Sequence, residues 1–315
     1  MFVSPTVAGN AVLIGSCAGT LYALDRADGT PRWSYDTRAD GAAAQFHGEP
    51  LLLGKRVIIP TDADPKGHLY ALDTASGELL WKLAFDQGVA VTPLLVDGRV
   101  VAVAKTGEVV AVDPERGAIV WRQRLGDVST WSPAAAGKRI FIAEKTNDVV
   151  ALDAATGAPL WRKSVGGRPN TALVVIGKTL VVGTQNGDLH WLALDSGEVK
   201  KRVSLGAMPY GTPILASPLL YVLTSKGNLL ALDAESGAVR WKQETPREWT
   251  TYRPLVTGAT IIAGTEEKAL CAFDRMTGET RWCRDVGQVP RGLGVDRDGT
   301  LYAGSLSGVV QAFRP

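Results

Sequence analysis

Gly19-Thr20-Leu21-Tyr22-Ala23-Leu24-Asp25-Arg26-Ala27-Asp28-Gly29-Thr30-Pro31-Arg32-Trp33 is the stretch that decides the architecture, because the chain writes it seven times. The order is a glycine, apolar residues around an alanine, an aspartate, a second glycine and then a tryptophan. The turn glycines fall at Gly29, Gly77, Gly117, Gly157, Gly197, Gly237 and Gly278, spaced by 48 residues once, 40 four times and then 41. A period near 40, built from short alternating runs and glycine turns, means a radial array of small sheets. For a non-repetitive chain, 315 residues would suggest about two domains. The repeat overrides that reading and predicts one closed body.

The third copy shows what a repeat builds. Thr92–Val96 reads as strand A, Val100–Ala104 as B, Val109–Val112 as C and Ile119–Arg122 as D, with Asp97-Gly98, Lys105-Thr106-Gly107 and the Asp113–Gly117 segment as turns. Strands of about five residues, punctuated every 8–12 by glycine or Asp-Gly, are an all-β signal. No segment sustains a 3.6-residue apolar period, so almost no helix is expected.

The signature residues have structural tasks. The aspartates ending strand C (Asp25, Asp73, Asp113, Asp153, Asp233 and Asp274) can accept backbone N–H bonds across the turn. The following glycine supplies a conformation other residues resist. Trp33, Trp81, Trp121, Trp161, Trp241 and Trp282 on strand D are apolar plates to wedge between neighbouring units. The fifth copy departs: Trp191 stands where the others have alanine, Lys201 where they have tryptophan, and Ala193 replaces the aspartate. Positions 191 and 201 face each other across the hairpin, so the indole is expected to fill the same pocket from the opposite strand. The same register sets Cys271 opposite Cys283, making them candidates for a disulfide, with two reduced apolar residues as the alternative. An oxidised pair would argue for an oxidising compartment. Cys17 has no evident mate.

After seven copies come Arg291–Val295, Thr300–Gly304 and Gly308–Phe313, strands A, B and C of an eighth unit. The expected fold is therefore an all-β, eight-bladed β-propeller of four-stranded antiparallel blades, the eighth three-stranded with an exposed edge near Gly308–Phe313. Approximate blade limits are 2–36, 46–86, 90–125, 130–165, 170–205, 210–246, 251–287 and 290–315, all in one domain 1–315. Only Met1 to Val3 precede the first strand A, and an unpaired edge is a liability. A start trimmed of upstream residues is therefore expected.

Composition excludes several functions. A formal charge of +2 with scattered basic residues does not suit nucleic acid or an anionic membrane surface. No run of 18 apolar residues exists, so no transmembrane helix is expected. The start Met1-Phe2-Val3-Ser4-Pro5 has neither the charged nor the apolar region of a signal peptide.

Chemistry is sparse. His47, His68 and His190 read as lying in different blades without metal-ligand spacing, so no metal site is expected from them. Asp62-Ala63-Asp64-Pro65-Lys66-Gly67 echoes the start of a calcium loop without its distal glutamate and reads as a solvated B–C turn. The best candidate surface is the ring of D–A loops around one mouth of the channel. Those slots hold Phe46-His47-Gly48-Glu49, Thr130-Trp131-Ser132, Arg168-Pro169-Asn170, Pro209-Tyr210-Gly211, Trp249 to Arg253, and Pro290-Arg291-Gly292. Trp131, Trp249, Tyr210 and Tyr252 are aromatics that the blade signature does not require. With Arg168, Asn170, Arg253 and Arg291 they have the composition of an interaction hot spot. The alternative is that they pack on one another and plug the mouth.

Ala151-Leu152-Asp153-Ala154-Ala155-Thr156-Gly157-Ala158-Pro159-Leu160-Trp161, and its counterpart from Ala231 to Trp241, resemble the tryptophan-docking motif of PQQ-like eight-bladed propellers. The resemblance covers essentially the whole chain. It implies that Trp33, Trp81, Trp121, Trp161, Trp191, Trp241 and Trp282 dock blade to blade. Two branches are relevant, and the chain is more similar to the BamB-type scaffold of outer-membrane β-barrel assembly than to the PQQ-dependent dehydrogenases. The latter are nearly twice as long. Many of the alcohol-oxidising ones carry adjacent disulfide-bonded cysteines, whereas no two cysteines of this chain are adjacent. The resemblance thus implies a non-catalytic, monomeric protein-interaction scaffold of the periplasm or cell envelope, without cofactor, whose partner is an outer-membrane assembly component. The rival expectation is an oxidoreductase relative or ligand-sensing domain whose propeller binds PQQ with calcium, or a similar flat anion, in the mouth.

Overall fold

Residues 4–40, 45–245 and 248–314 are described by the computed structural model. The blade limits expected at residues 2, 246 and 315, and the leading Met1–Val3, lie outside them. Each blade is organised by the hairpin between its third and fourth strands. In the fourth blade (Ala134–Ala136, Arg139–Ala143, Asp148–Asp153 and Pro159–Ser164) the Asp153 Oδ1 accepts from the amides of Ala155 and Thr156 and from the Thr156 hydroxyl, at 2.9–3.0 Å. Gly157 then turns the chain at φ +73°, in the region L side chains avoid. Ala151 pairs with Trp161 next to a bulge, and the same pairing recurs as Ala23–Trp33, Ala71–Trp81, Ala111–Trp121, Ala231–Trp241 and Ala272–Trp282.

The indoles leave their own blade to meet the next. Trp33, Trp81, Trp121, Trp161 and Trp241 lie against the turn glycines Gly77, Gly117, Gly157, Gly197 and Gly278, so closely that a Cβ on the glycine would clash. Each Nε1 donates to the carbonyl three residues before that glycine, on Thr74, Pro114, Ala154, Leu194 and Arg275, at 3.0–3.1 Å. The fifth blade does this from the opposite strand. Trp191 pairs with Lys201, is 2 % exposed, lies beside Gly237 and donates to Ala234 O at 3.0 Å. Lys201 lays its ammonium over the indole, 5.5 Å from the ring centroid, and donates to the carbonyl of Glu235.

Eight sheets result, seven of four strands and one of three, and the eighth comprises Pro290–Val295, Leu301–Ser305 and Val310–Phe313. The molecule is an eight-bladed propeller, with almost no helix. Among the described residues the helical content is one 3-10 turn, Thr37–Asp40, inside the long first spacing, where Asp40 accepts from Tyr70 and pairs with Lys82. Seven apolar clusters fill the junctions between successive blades, from the first and second to the seventh and eighth. The eighth meets the first differently. Arg26 pairs with Asp296 and Asp298, and Arg314 donates to Ala27 O at 2.7 Å.

Trp282 corrects the expectation of blade-to-blade docking. It pairs with Ala272 as its counterparts do, yet it is 42 % exposed, because the adjoining eighth blade offers it no turn among the described residues. Cys271 and Cys283 stand opposite one another and are joined by a disulfide, while Cys17 is free.

Candidate functional site

In an antiparallel four-stranded blade the D–A loops and B–C turns must emerge on the same face. Isolated bridges tie the two on four blades, Gln45–Asp62, Val128–Glu144, Pro169–Thr184 and Trp249–Thr265. Neighbouring loop segments are then stitched around the channel. Glu49 N donates to Thr92 Oγ1, Leu173 N to Ser132 O, Asn170 Nδ2 to Pro209 O, Thr212 N to Tyr252 O and Thr250 Oγ1 to Pro290 O. Gly211, at φ +76°, lets the Tyr252 backbone pass where a side chain would collide with it.

Two contacts cross the channel. Trp131, leading into the fourth blade, meets Tyr252, leading into the seventh, at 6.4 Å between ring centroids, and Tyr252 stacks on Tyr210 at 5.2 Å. Arg253 Nη1 donates to Glu49 Oε2 at 2.8 Å, joining the seventh blade to the second. The mouth aromatics therefore pack on each other. Burial, and then the hydrogen bond with Tyr252, push the Tyr210 phenol above its ordinary value.

Of the residues expected on this face, Trp131, Tyr210, Tyr252 and Arg253 come together, and Arg168 stands exposed in the loop before the fifth blade. Asn170 is spent on the next loop's backbone, and Arg291 is largely buried against Glu266 at 3.4 Å. Trp249 is corrected: it is 6 % exposed, its ring edge-on to Phe273 at 6.0 Å and its Nε1 bonded to Asn228 O, so it is core.

Asp62 also departs from the solvated turn expected of it. Its buried carboxylate accepts from His47 Nδ1 at 2.7 Å and Lys105 Nζ at 2.5 Å. Burial works against the charge, but these two donors overcome it and hold the carboxyl below the usual range. His47 and His68 share the second blade rather than lying apart. Sequence reasoning also missed Glu144, fully buried, which accepts from Gly126 N at 3.1 Å and pairs with Arg162. It stands where other blades carry Thr61, Thr184, Thr224 and Thr265, so the 40-residue register could have singled it out. Among the described residues no three His, Cys, Asp or Glu side chains cluster to hold a metal ion.

A family model described as outer membrane protein assembly factor BamB matches residues 2–65, 61–117 and 105–315. Outer membrane protein assembly factor BamB of Yersinia pestis is 28 % identical over 116 residues, which are 33 % of this chain and 29 % of that protein. The crystal structure of BamB from Moraxella catarrhalis superposes with a TM-score of 0.82 at 19 % identity, covering 99 % of this chain and 96 % of that one. A computationally designed protein gives 0.83 at 14 % identity, covering 100 % and 99 %. Quinohemoprotein alcohol dehydrogenase from Comamonas testosteroni gives 0.77 at 15 % identity, covering 96 % and 70 %. At these identities the structures share the fold.

Proposed function

The chain belongs to the family described as outer membrane protein assembly factor BamB, and on that premise we propose that it is a non-catalytic scaffold of the cell envelope. It docks segments of partner proteins, and the partner class is a component of outer-membrane β-barrel assembly. The observation that carries this reading is the cluster at the mouth. Aromatic rings from the fourth and seventh blades and an ion pair between the seventh and the second meet there. Tyr and Trp with arginine at the centre of a rigid surface are the side chains that anchor protein partners. The Cys271–Cys283 disulfide supports an oxidising compartment such as the periplasm. Among the described residues no helix is long and apolar enough to cross a membrane.

The rival, a PQQ-binding propeller, makes a distinct demand. A quinone seated in the mouth would have to part Tyr252 from Tyr210 and Trp131. Titration with PQQ and calcium, followed by aromatic fluorescence, is expected to show no saturable quenching. Saturable quenching lost in Tyr252→Ala would overturn the scaffold reading in favour of ligand binding.

A further inference from the structure

The face opposite the aromatic mouth is made by the turns between strands A and B and between strands C and D. Strand A of the fourth blade lies between those of the third and the fifth, and that of the fifth lies beside that of the sixth. The A strands thus surround the channel, and the A–B turns rim its second opening. On four successive blades, the second to the fifth, these turns (residues 54–56, 97–99, 137–139 and 177–179) hold Lys55, Arg56, Arg99, Lys138, Arg139 and Lys178 against one carboxylate, Asp97. The turns of the first, sixth and seventh blades (residues 9–10, 217–218 and 257–259) hold no charge. That of the eighth, facing the fourth across the channel, holds Asp296, Arg297 and Asp298. One half of this rim is basic.

Two of the six cations are neutralised. Arg56 grips the Glu115 carboxylate of the next blade with both Nη atoms, Nη1 to Oε1 at 2.7 Å, and Arg99 Nη1 meets Asp97 at 2.9 Å. Among the described residues Lys55, Lys138, Arg139 and Lys178 form no ion pair. Asp73 and Asp153 feel the charges of Lys55 and Lys138, but each spends its Oδ1 on the amides of its own hairpin. Asp195 stands two repeats after Glu115, where it could grip Arg139 in the same way, yet it is exposed and makes no such pair. Arg139 Nε is buried without a hydrogen-bond partner. At the second-blade end of the arc a groove of about 600 Å³ crosses this face between the second and third blades. Leu53, Leu80 and Leu95 line it beside Lys55, Asp73 and the Arg56–Glu115 pair, and Leu80 and Leu95 are 45 % and 48 % exposed. An apolar cleft therefore leads into a row of unpaired cations.

We propose that this face docks an extended acidic segment of a partner protein, with apolar side chains on Leu53, Leu80 and Leu95 and carboxylates on Lys55, Lys138, Arg139 and Lys178. An extended chain presents every second side chain to the same side, so alternate glutamates or aspartates can follow the rim from blade to blade. Arg56 already displays the chemistry, a carboxylate held in a guanidinium fork. The occupant is polypeptide rather than single-stranded nucleic acid, because these turns and the groove hold no aromatic ring on which bases could stack. The site rests on the scaffold reading only in taking the occupant to be protein. It lies on the face away from Tyr252 and Arg253, so the two can fail separately.

The probe is a fluorescein-labelled synthetic peptide, Leu-Thr-Leu-Thr-Glu-Ser-Glu-Ser-Glu-Ser-Glu, followed by anisotropy and compared with the same peptide carrying glutamine for each glutamate. Saturable binding of the glutamate peptide alone is expected, weakening as salt rises. Lys138→Glu with Lys178→Glu changes two exposed side chains, so the protein should keep its melting temperature while affinity falls about tenfold or more. Leu95→Ser should lower it about threefold or more. Lys66→Glu with Lys226→Glu, the same charge change on the mouth face, should leave binding unchanged, as should Tyr252→Ala with Arg253→Ala. Absence of saturable binding, equal affinity for the two peptides, or an equal loss in Lys66→Glu/Lys226→Glu would each overturn the proposal. Loss in Tyr252→Ala/Arg253→Ala would overturn it by moving the peptide to the mouth. So would tighter binding of phosphatidylglycerol vesicles or of a thymidine oligonucleotide that Lys138→Glu/Lys178→Glu abolishes, which would give the arc to a phosphate ligand.

Discussion

Arg253 and Glu49 are separated by 204 positions in sequence and 2.8 Å in space, and their ion pair spans the channel mouth from the seventh blade to the second. Arg253 is exposed and Glu49 only partly covered, so the pair is expected to hold orientation more than stability. A double-mutant cycle with Arg253→Ala and Glu49→Ala should give a coupling of about 0.2–1 kcal/mol, shrinking in high salt. Coupling of several kcal/mol in denaturant melts would make the pair a pillar of the fold instead of a feature of the surface.

The indoles are predicted to divide by neighbour, not by motif. Trp121 covers Gly157 and donates to Ala154 O, so Trp121→Ala should cost about 3–5 kcal/mol. Trp282 has the same sequence context and no turn to cover, so Trp282→Ala should cost about 1 kcal/mol or less. Equal losses in chemical denaturation would mean that contact with the next blade's glycine is not what makes an indole stabilising.

The fifth blade offers a restoration test. Trp191→Ala should destabilise about as much as Trp121→Ala. Adding Lys201→Trp returns the indole to the strand that carries it elsewhere, and the double variant should regain most of the loss. A double variant no more stable than Trp191→Ala would show that the pocket is not shared.

Acid should weaken the fold through two buried histidines. Burial holds His68 and His190 below the ordinary imidazole value, against the partial help of Asp40 for His68 and of Asp188 for His190. As pH falls below about 6.5, the unfolded chain takes up protons that the folded chain refuses. Their stabilising contribution is thus full above that pH and is lost as pH falls through the folded values. The urea midpoint should drop between about pH 7 and pH 5, and His68→Gln with His190→Gln should flatten the drop. An unchanged slope in the double variant would locate the effect elsewhere.

What the sequence made legible was whatever the repeat enforces. The alanine–tryptophan register placed Trp191 against Lys201 and Cys271 against Cys283, because cross-strand pairing around a fixed turn is arithmetic. The mouth was legible only as a set of candidates. Trp249 and Trp131 look alike in their loops, yet one ring falls on Phe273 and the other on Tyr252, a difference set by loop paths the repeat does not encode. Arg253 found Glu49 rather than a partner's carboxylate for the same reason. Trp282 shows the converse limit, since an intact motif docks only where the neighbouring blade supplies the glycine.

If the aromatic and arginine surface over the mouth captures a protein of outer-membrane assembly, the capture itself can be measured. The most direct experiment is cross-linked affinity capture from an envelope extract, with the chain as bait and Tyr252→Ala/Arg253→Ala as control, read by mass spectrometry. The wild-type chain should recover a β-barrel assembly component, and the double variant, folded and with a melting temperature close to wild type, should not. Equal recovery by both, or recovery of no assembly component by either, would contradict a docking role for the mouth.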